Sequence, residues 1–340
     1  MYFPVFACDI GFGQTKVAAR LPGPENKLFY DSFPSLSPRH VTSNLSSHLP
    51  NAVANRTYIV RVDDVEFAVG PDVKFAVGGT TGNGRTLTDD FPTSVNYKAL
   101  FLGALAHVDA TEVDLLVLGL PVHTMKLYKD HLLKHFVGEF QVRGKSVVVH
   151  KVIILPQPVG ALLHYGSTIE EGLSQDENRL IVDCGYVTTD WVLSHGYRMI
   201  ESRSSGTPTG VSAILNSMAD LISKDEGKPF DQIERIDDAL ISGKPMRFFK
   251  NMIQPDKLRS YLDNSSFITD DCAKKIRSSV GDGGDLSSIL MVGGGSHYFA
   301  PSIAKSFQDV EIIQLDNSPF CNVNGFLLFG EHQHKRLKAA

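Results

Sequence analysis

Tryptophan occurs once in these 340 residues and cysteine only four times, at Cys8, Cys184, Cys272 and Cys321, with no C-x-x-C pair and no histidine at zinc-finger spacing. That scarcity excludes a disulfide framework and a zinc ribbon, and it predicts buried, reduced thiols in a cytoplasmic protein. No run approaches the 18 or so consecutive apolar residues of a membrane span. The longest, Leu115–Leu120 and Val147–Leu155, have strand length, and His150 and Lys151 break the second. The first residues have no basic segment, and Asp9 interrupts the short apolar stretch that could pass for a signal sequence. A positive excess is also missing. Lys plus Arg is 33 against 38 for Asp plus Glu, a formal charge of −5, and no basic stripe marks a nucleic-acid binder. The Asn-x-Ser/Thr triplets at Asn44, Asn55 and Asn264 are then expected to be chance matches.

What is present is an ordinary globular composition, 42% hydrophobic, at a length that suits two domains. Apolar runs and periodic stretches alternate along the chain. Strands are expected at Val5–Ile10, Thr15–Arg20, Val113–Leu118, Val147–Leu155, Leu180–Asp183, Trp191–Leu193 and Ser288–Val292. Helices are expected at Ser94–His107, at Thr124–Phe136 with Gly138 just past its end, and at Val211–Ile222, whose apolar residues repeat every 3.6 positions. A last helix should begin near Ser318 and stop about Gly330, leaving a frayed polar tail. Residues 22–90, rich in Pro, Ser, Asn and Gly, predict a small loop-rich subdomain.

The most informative feature is a repeat. A strand ending in Asp-x-Gly occurs at Asp9-Ile10-Gly11 and again at Asp183-Cys184-Gly185, 174 residues apart, about half the chain, and a Thr follows each Asp at the sixth position, Thr15 and Thr189. Such a turn lets main-chain N–H groups approach an anion, since glycine has no Cβ. Thr hydroxyls and Lys16 would add donors, and Asp9 and Asp183 could hold a hydrated Mg²⁺, which keeps most of its waters. Either turn alone is commonplace. The pair at half-chain spacing, with Gly293-Gly294-Gly295 ending a late strand, points to a duplicated α/β fold whose two hairpins clasp a polyphosphate.

Other motifs fail on spacing. Gly138…Gly144-Lys145-Ser146 has five residues between its glycines where a P-loop needs four, and a strand follows instead of a helix. His131 and His135 stand one helical turn apart but lack the glutamate of H-E-x-x-H, so surface or packing roles are expected. Gly11-Phe12-Gly13 lacks the third glycine of a dinucleotide-binding loop.

Five segments in order resemble those of the actin-like ATPases, the superfamily of actin, DnaK-type chaperones and sugar kinases. Asp9–Lys16 resembles the first phosphate motif, Leu155–Ala161 the first connecting motif, Leu180–Asp190 the second phosphate motif, Met291–Ser296 the adenosine motif and Asn317–Gly330 the second connecting helix. Val117–Val122, Ser205–Ser212 and Asn317–Phe326 look like the ParM/StbA-type plasmid segregation proteins, and Phe33–Leu36 is similar to a ParM-like branch that includes the PRTRC system protein D.

The resemblance implies an actin-like (ribonuclease H-like) fold of two duplicated α/β domains with a nucleotide cleft: residues 1–156 and 319–340 in domain I, and 157–318 in domain II with a small subdomain at about 207–285. It implies ATP or GTP with Mg²⁺, hydrolysis coupled to filament assembly, and plasmid DNA reached through a ParR-type adaptor. Asp9 would face the metal and phosphates, with Gly11, Gly13, Gln14, Thr15 and Lys16 on the phosphates. Asp183 would orient the attacking or metal-bound water, with Gly185, Thr188 and Thr189 on the phosphates. Gly293, Gly294, Gly295 and Ser296 would pass under the adenosine, and Gly206 and Gly210 near its ribose. Gln157 stands where ParM proteins of the best-known type have Glu and actin has Gln. A glutamine orients water but cannot accept its proton. A small-molecule kinase of the same superfamily and a non-filamentous ATP-binding adaptor are the alternative readings.

Overall fold

The computed structural model describes residues 1–40, 56–75, 85 and 87–339. Chain contacts divide them into two compact units, Met1–Leu173 with Pro319–Ala340, and Ser174–Ser318. Asn44 and Asn55, and part of the loop-rich segment 22–90, lie outside the described residues.

The first unit contains β1 (Tyr2–Ile10), β2 (Gln14–Arg20), β3 (Leu28–Pro34), β4 (Tyr58–Val62), β5 (Val65–Val69), α1 (Val95–His107), β6 (Glu112–Leu120), α2 (Met125–His135), β7 (Gly138–Val142), β8 (Lys145–Pro156), α3 (Gln157–Thr168) and the last helix of the chain, α9 (Cys321–Ala339). Its main sheet has the order β3-β2-β1-β6-β8-β7, with β1, β6 and β8 parallel and the outer strands antiparallel. The continuous apolar run of β6 is buried almost throughout, as a central strand covered on both faces requires. One face carries Phe3, Phe6, Leu116 and Leu118 against α1, and the other carries Val5, Ala7, Leu115 and Val117 against Val323, Phe326 and Leu327 of α9. Helix α1 is apolar nearly all round because it is buried nearly all round, and Ser94 caps it, its Oγ accepting from Tyr97 N at 3.1 Å.

The second unit contains β9 (Asn178–Cys184), β10 (Thr189–His195), β11 (Arg198–Met199), β12 (Ser205–Thr207), α4 (Val211–Glu226), α5 (Ile233–Ser242), β13 (Met246–Phe248), β14 (Asn251–Ile253), α6 (Pro255–Asn264), α7 (Phe267–Val280), β15 (Leu286–Val292), α8 (Ser296–Ser306) and β16 (Glu311–Gln314). Its sheet has the order β11-β10-β9-β15-β16, with β12 beside β10. The series β2-β1-β6-β8 and β10-β9-β15-β16 therefore run alike: an antiparallel hairpin followed by two parallel strands. The registers coincide as well, Asp9 facing Lys16 and Asp183 facing Asp190.

Several elements differ from the sequence reading. Residues 28–34 form β3 at the edge of the main sheet rather than part of a loop-rich subdomain, because β2 still has an open edge to fill. Residues 157–173 pack in the first unit, since α3 lies against α9. Helix α2 ends at His135 with Phe136 as its cap, and Gly138, at φ +114°, instead opens β7. The β7–β8 connection is the two-residue turn Arg143-Gly144, both at positive φ, so the P-loop look-alike is a hairpin. Helix α9 continues to Ala339 instead of fraying after Gly330. Glu331 pairs with Arg20 at 2.9 Å and His334 with Asp114 at 2.8 Å, which holds the polar turns on the sheet. All four cysteines are buried and unpaired with one another. Among the described residues no helix is long and apolar enough to cross a membrane.

Helices α3 and α9 approach through glycine. A Cβ at Gly325 would collide with the Gly160 carbonyl oxygen, and one at Gly160 with the Asn322 carbonyl oxygen and the Phe326 ring. Gly325→Val should therefore lower the melting temperature by roughly 2–12 °C, the effect of about 1–3 kcal/mol of overpacking in a unit of this size. Gly294→Ala, where a Cβ meets nothing within 4 Å, should leave it unchanged. Thermal unfolding followed by circular dichroism checks both.

Candidate functional site

In the first unit the Asp-x-Gly turn joins β1 to β2. Gly11 N donates to Gln14 O at 3.1 Å, and the Gly13 carbonyl accepts from Ser35 N at 3.0 Å, so β3 braces the turn. Asp9, near the carboxyl end of β1, is 1% exposed. Its Oδ1 accepts from Gln157 Nε2 at 2.7 Å and its Oδ2 pairs with Lys16 Nζ at 3.2 Å. Gln157 starts α3 directly after Pro156, the last residue of β8, and it is itself buried. Asp9 and Gln157 thus meet because β1 and β8 both run toward the same edge, with β6 between them. Ligand sites of open α/β sheets form at such carboxyl ends.

In the second unit Gly185 N donates to Thr188 O at 2.8 Å, closing the same turn as Gly11 to Gln14. Asp183 is 8% exposed on β9. The amino end of α4 is tied to the turn, Val211 N donating to Gly185 O at 3.1 Å and Ser212 N to Tyr186 O at 2.8 Å. Gly210, which begins that helix, allows the contact: its Cβ would lie 2.7 Å from Gly185 O. Gly295 N donates to Cys184 O at 2.9 Å. Gly293, at φ +86°, lies against the acid, and a Cβ there would fall 2.5 Å from Asp183 Oδ1. Ser296 begins α8, its Oγ 3.2 Å from Ser318 Oγ, which in turn donates to Gly293 O at 2.9 Å. The turn, the triple-glycine loop and the amino ends of α4 and α8 therefore gather at Asp183. Helix amino ends and glycine turns both offer N–H groups and partial positive charge to an anion.

Not every expected role survives. Thr15 and Thr189 are fully buried, and their hydroxyls serve the fold: Thr15 Oγ1 lies 3.0 Å from Ser35 Oγ, and Thr189 Oγ1 donates to Thr209 O at 2.7 Å. Gly206 sits in β12 opposite Asp190. Asp190 was not singled out from the sequence. It is 2% exposed and directly faces Asp183, putting two acids at one level of the second hairpin. The signal was available, since the seventh residue after each repeated Asp is charged, Lys16 in one case and Asp190 in the other. Burial pushes the thiols of Cys8 and Cys184, each beside one of the repeated acids, well above their ordinary pKa, which keeps them unreactive. His131 and His135 stack at 4.1 Å on α2 as a local pair.

The backbone cradles and buried carboxylates fit a nucleoside triphosphate and its magnesium ion: N–H groups face an anion, and hard oxygen donors face a hard cation. Each unit by itself offers one such buried carboxylate beside its glycine turn, Asp9 in the first and Asp183 in the second, as the residue that would face a metal through water.

Residues 7–160 match the family described as actin like proteins N terminal domain, and residues 181–305 match the archaeal actin homologue MreB-like C-terminal family. Curated proteins give no match. Among solved structures, the chain is similar to the 15-stranded ParM filament from Clostridium botulinum, with 21% identity, TM-score 0.73, and coverage of 98% of this chain and 100% of that one. It is similar to Ta0583, an archaeal actin homolog in complex with ADP, with 20% identity, TM-score 0.71, and coverage of 96% and 99%. It is also similar to the AlfA filament bound to AMPPNP, with 18% identity, TM-score 0.63, and coverage of 99% of both chains. Two family matches in the order of the two units, and a duplicated sheet topology, establish that the chain belongs to the actin-like proteins.

Proposed function

We propose that this protein binds ATP with Mg²⁺, hydrolyses it, and uses the cycle to assemble and dismantle filaments that move plasmid DNA through a separate DNA-binding adaptor. The observation that carries the reading is the pair of hairpins in identical register, one holding Asp9 to Gln157 at 2.7 Å and the other holding Asp183 against the Gly293 loop. The similar structures bound to ADP or AMPPNP, and those that are filaments, support it. The acidic net charge supports an adaptor rather than direct DNA binding.

The residues divide the work by chemistry. The turn amides at 12–14 and 186–188 bind phosphate oxygens, while those of Gly11 and Gly185 close the turns, and Lys16 adds a point charge that can exchange Asp9 for phosphate. Bound Mg²⁺ would neutralise charge building on the phosphates. Because Gln157 gives its Nε2 hydrogen to Asp9, its Oε1 is left as an acceptor for a water hydrogen. Asp9 therefore fixes which way the amide points. Gln157 orients the attacking water and cannot take its proton, which leaves a chain of waters or the phosphate itself as the acceptor.

Three outcomes test this. ATP with Mg²⁺ at about 100 times Kd should raise the melting temperature by roughly 5–10 °C, and no shift at millimolar nucleotide would remove the site assignment. Gln157→Ala should retain ATP binding while phosphate release falls on the order of 10²–10³-fold, and release at the wild-type rate would reduce Gln157 to a helix-start residue. ATP with Mg²⁺ should also make the protein sediment and scatter light, both reversing as phosphate is released. Hydrolysis with no sedimentation at any concentration tested would reject the filament reading, and hydrolysis only with an added small-molecule hydroxyl acceptor would replace it with a kinase.

A further inference from the structure

Far from the Gly11 turn, at the opposite end of the first unit's sheet, a second group of ionisable side chains converges. Glu112 and Asp114 belong to β6 and His150 to β8, and among the described residues their donor atoms all lie within 4.8 Å of one another. His150 Nε2 is 2.9 Å from Glu112 Oε1. His334 comes in from α9, its Nε2 2.8 Å from Asp114 Oδ2. Tyr2 donates its hydroxyl to the same Oδ2 at 2.5 Å, and Lys338 Nζ stands 4.0 Å away. Tyr2 is seven residues before Asp9 on β1, so the group lies roughly 23 Å from the repeated acid and takes no part in the phosphate chemistry.

We propose that Glu112, Asp114, His150 and His334 form a binding site for a borderline divalent cation of the zinc or cobalt class, which fastens the last turns of α9 to the start of strands β6 and β8. Two imidazoles and two carboxylates make the mixed N/O set that suits such ions, whereas Mg²⁺ prefers oxygen ligands and water. Three secondary-structure elements supply the ligands, and sheet neighbours hold two of those elements rigidly side by side. Glu112 and His150 are each about half exposed, which gives an ion a path from solvent. Ligands about 2.1 Å from a tetrahedral ion stand about 3.4 Å apart. The His150–Glu112 and His334–Asp114 pairs, now at 2.9 and 2.8 Å, therefore need to open by about half an ångström. The wider separations among Glu112, Asp114 and His150, all within 4.8 Å, need to close by about an ångström, both within the reach of side-chain rotation. Asp114 is already oriented by the Tyr2 hydroxyl, the kind of outer hydrogen bond that accompanies metal-bound carboxylates. Binding would take a ring nitrogen of each of His150 and His334 as a neutral donor and turn Lys338 away.

The test uses the full-length protein without a histidine tag, in buffer containing Mg²⁺. Zn²⁺ or Co²⁺ alone is titrated and read by thermal unfolding and, for Co²⁺, by visible absorption. One equivalent should raise the melting temperature by roughly 5 °C or more, and Co²⁺ should give the intense absorption of a four-coordinate N/O site. His150→Ala should abolish both signals. His334→Gln, which keeps a donor to Asp114, should leave the metal-free melting temperature near wild type and still weaken Co²⁺ binding at least 10-fold. The double variant His131→Ala/His135→Ala should change nothing. The proposal is overturned if no shift appears, if His150→Ala retains it, or if it disappears with the His131/His135 variant, which would assign the metal to the stacked pair on α2.

Discussion

A buried carboxylate that must be held is the constraint on which the candidate site turns. Asp9 is almost wholly removed from water, and an ion in that position costs several kcal/mol unless partners replace the solvent. The partners are Gln157, 148 positions further along the chain, and Lys16 across the hairpin. Meeting that requirement draws together the carboxyl ends of β1 and β8, sets the start of α3 and orients the Gln157 amide. Removing one partner would leave the acid to the other alone, so the two contacts together hold this end of the sheet.

The second unit meets a similar constraint differently. Its hairpin has the same register and the same turn bond, but an acid, Asp190, stands where the first unit has Lys16. One hairpin is internally neutralised and the other is doubly acidic. A duplicated scaffold thus presents two chemically distinct hairpins, one pairing its acid with a lysine and one setting two acids face to face. Glycine shapes the surroundings of the second hairpin: Gly293 and Gly295 bring main chain against the Asp183–Cys184 strand end, and Gly210 brings it against the turn at 185–187, where any Cβ would collide.

Close approach without side chains recurs at the crossing of α3 and α9, where Gly160 and Gly325 let two backbones touch. The Phe326 ring then reaches across to Gly119 on β6. The helix that begins with Gln157 is therefore positioned by the last helix of the chain, and residues more than 150 positions apart set the placement of one amide.

The sequence by itself determined what is local. An Asp followed two residues later by Gly at the end of an apolar run specifies a tight turn wherever it occurs, because only the identities of a few neighbours matter, and the repetition at half-chain spacing made the two-part α/β architecture legible. The 3.6-residue stripe of α4 and the apolar run of β6 were readable for the same reason. Tertiary structure alone decided what depends on partners distant in the chain. It paired Asp9 with Gln157, faced Asp183 with Asp190, withdrew the Thr15 and Thr189 hydroxyls into the fold, and took residues 28–34 into the main sheet. The polar end of α9 reads as a frayed tail because its stabilising contacts, Arg20 and Asp114, lie more than 200 positions away. Periodicity and turn chemistry report a residue's neighbours in sequence, while burial, ion pairing and helix crossing depend on neighbours in space.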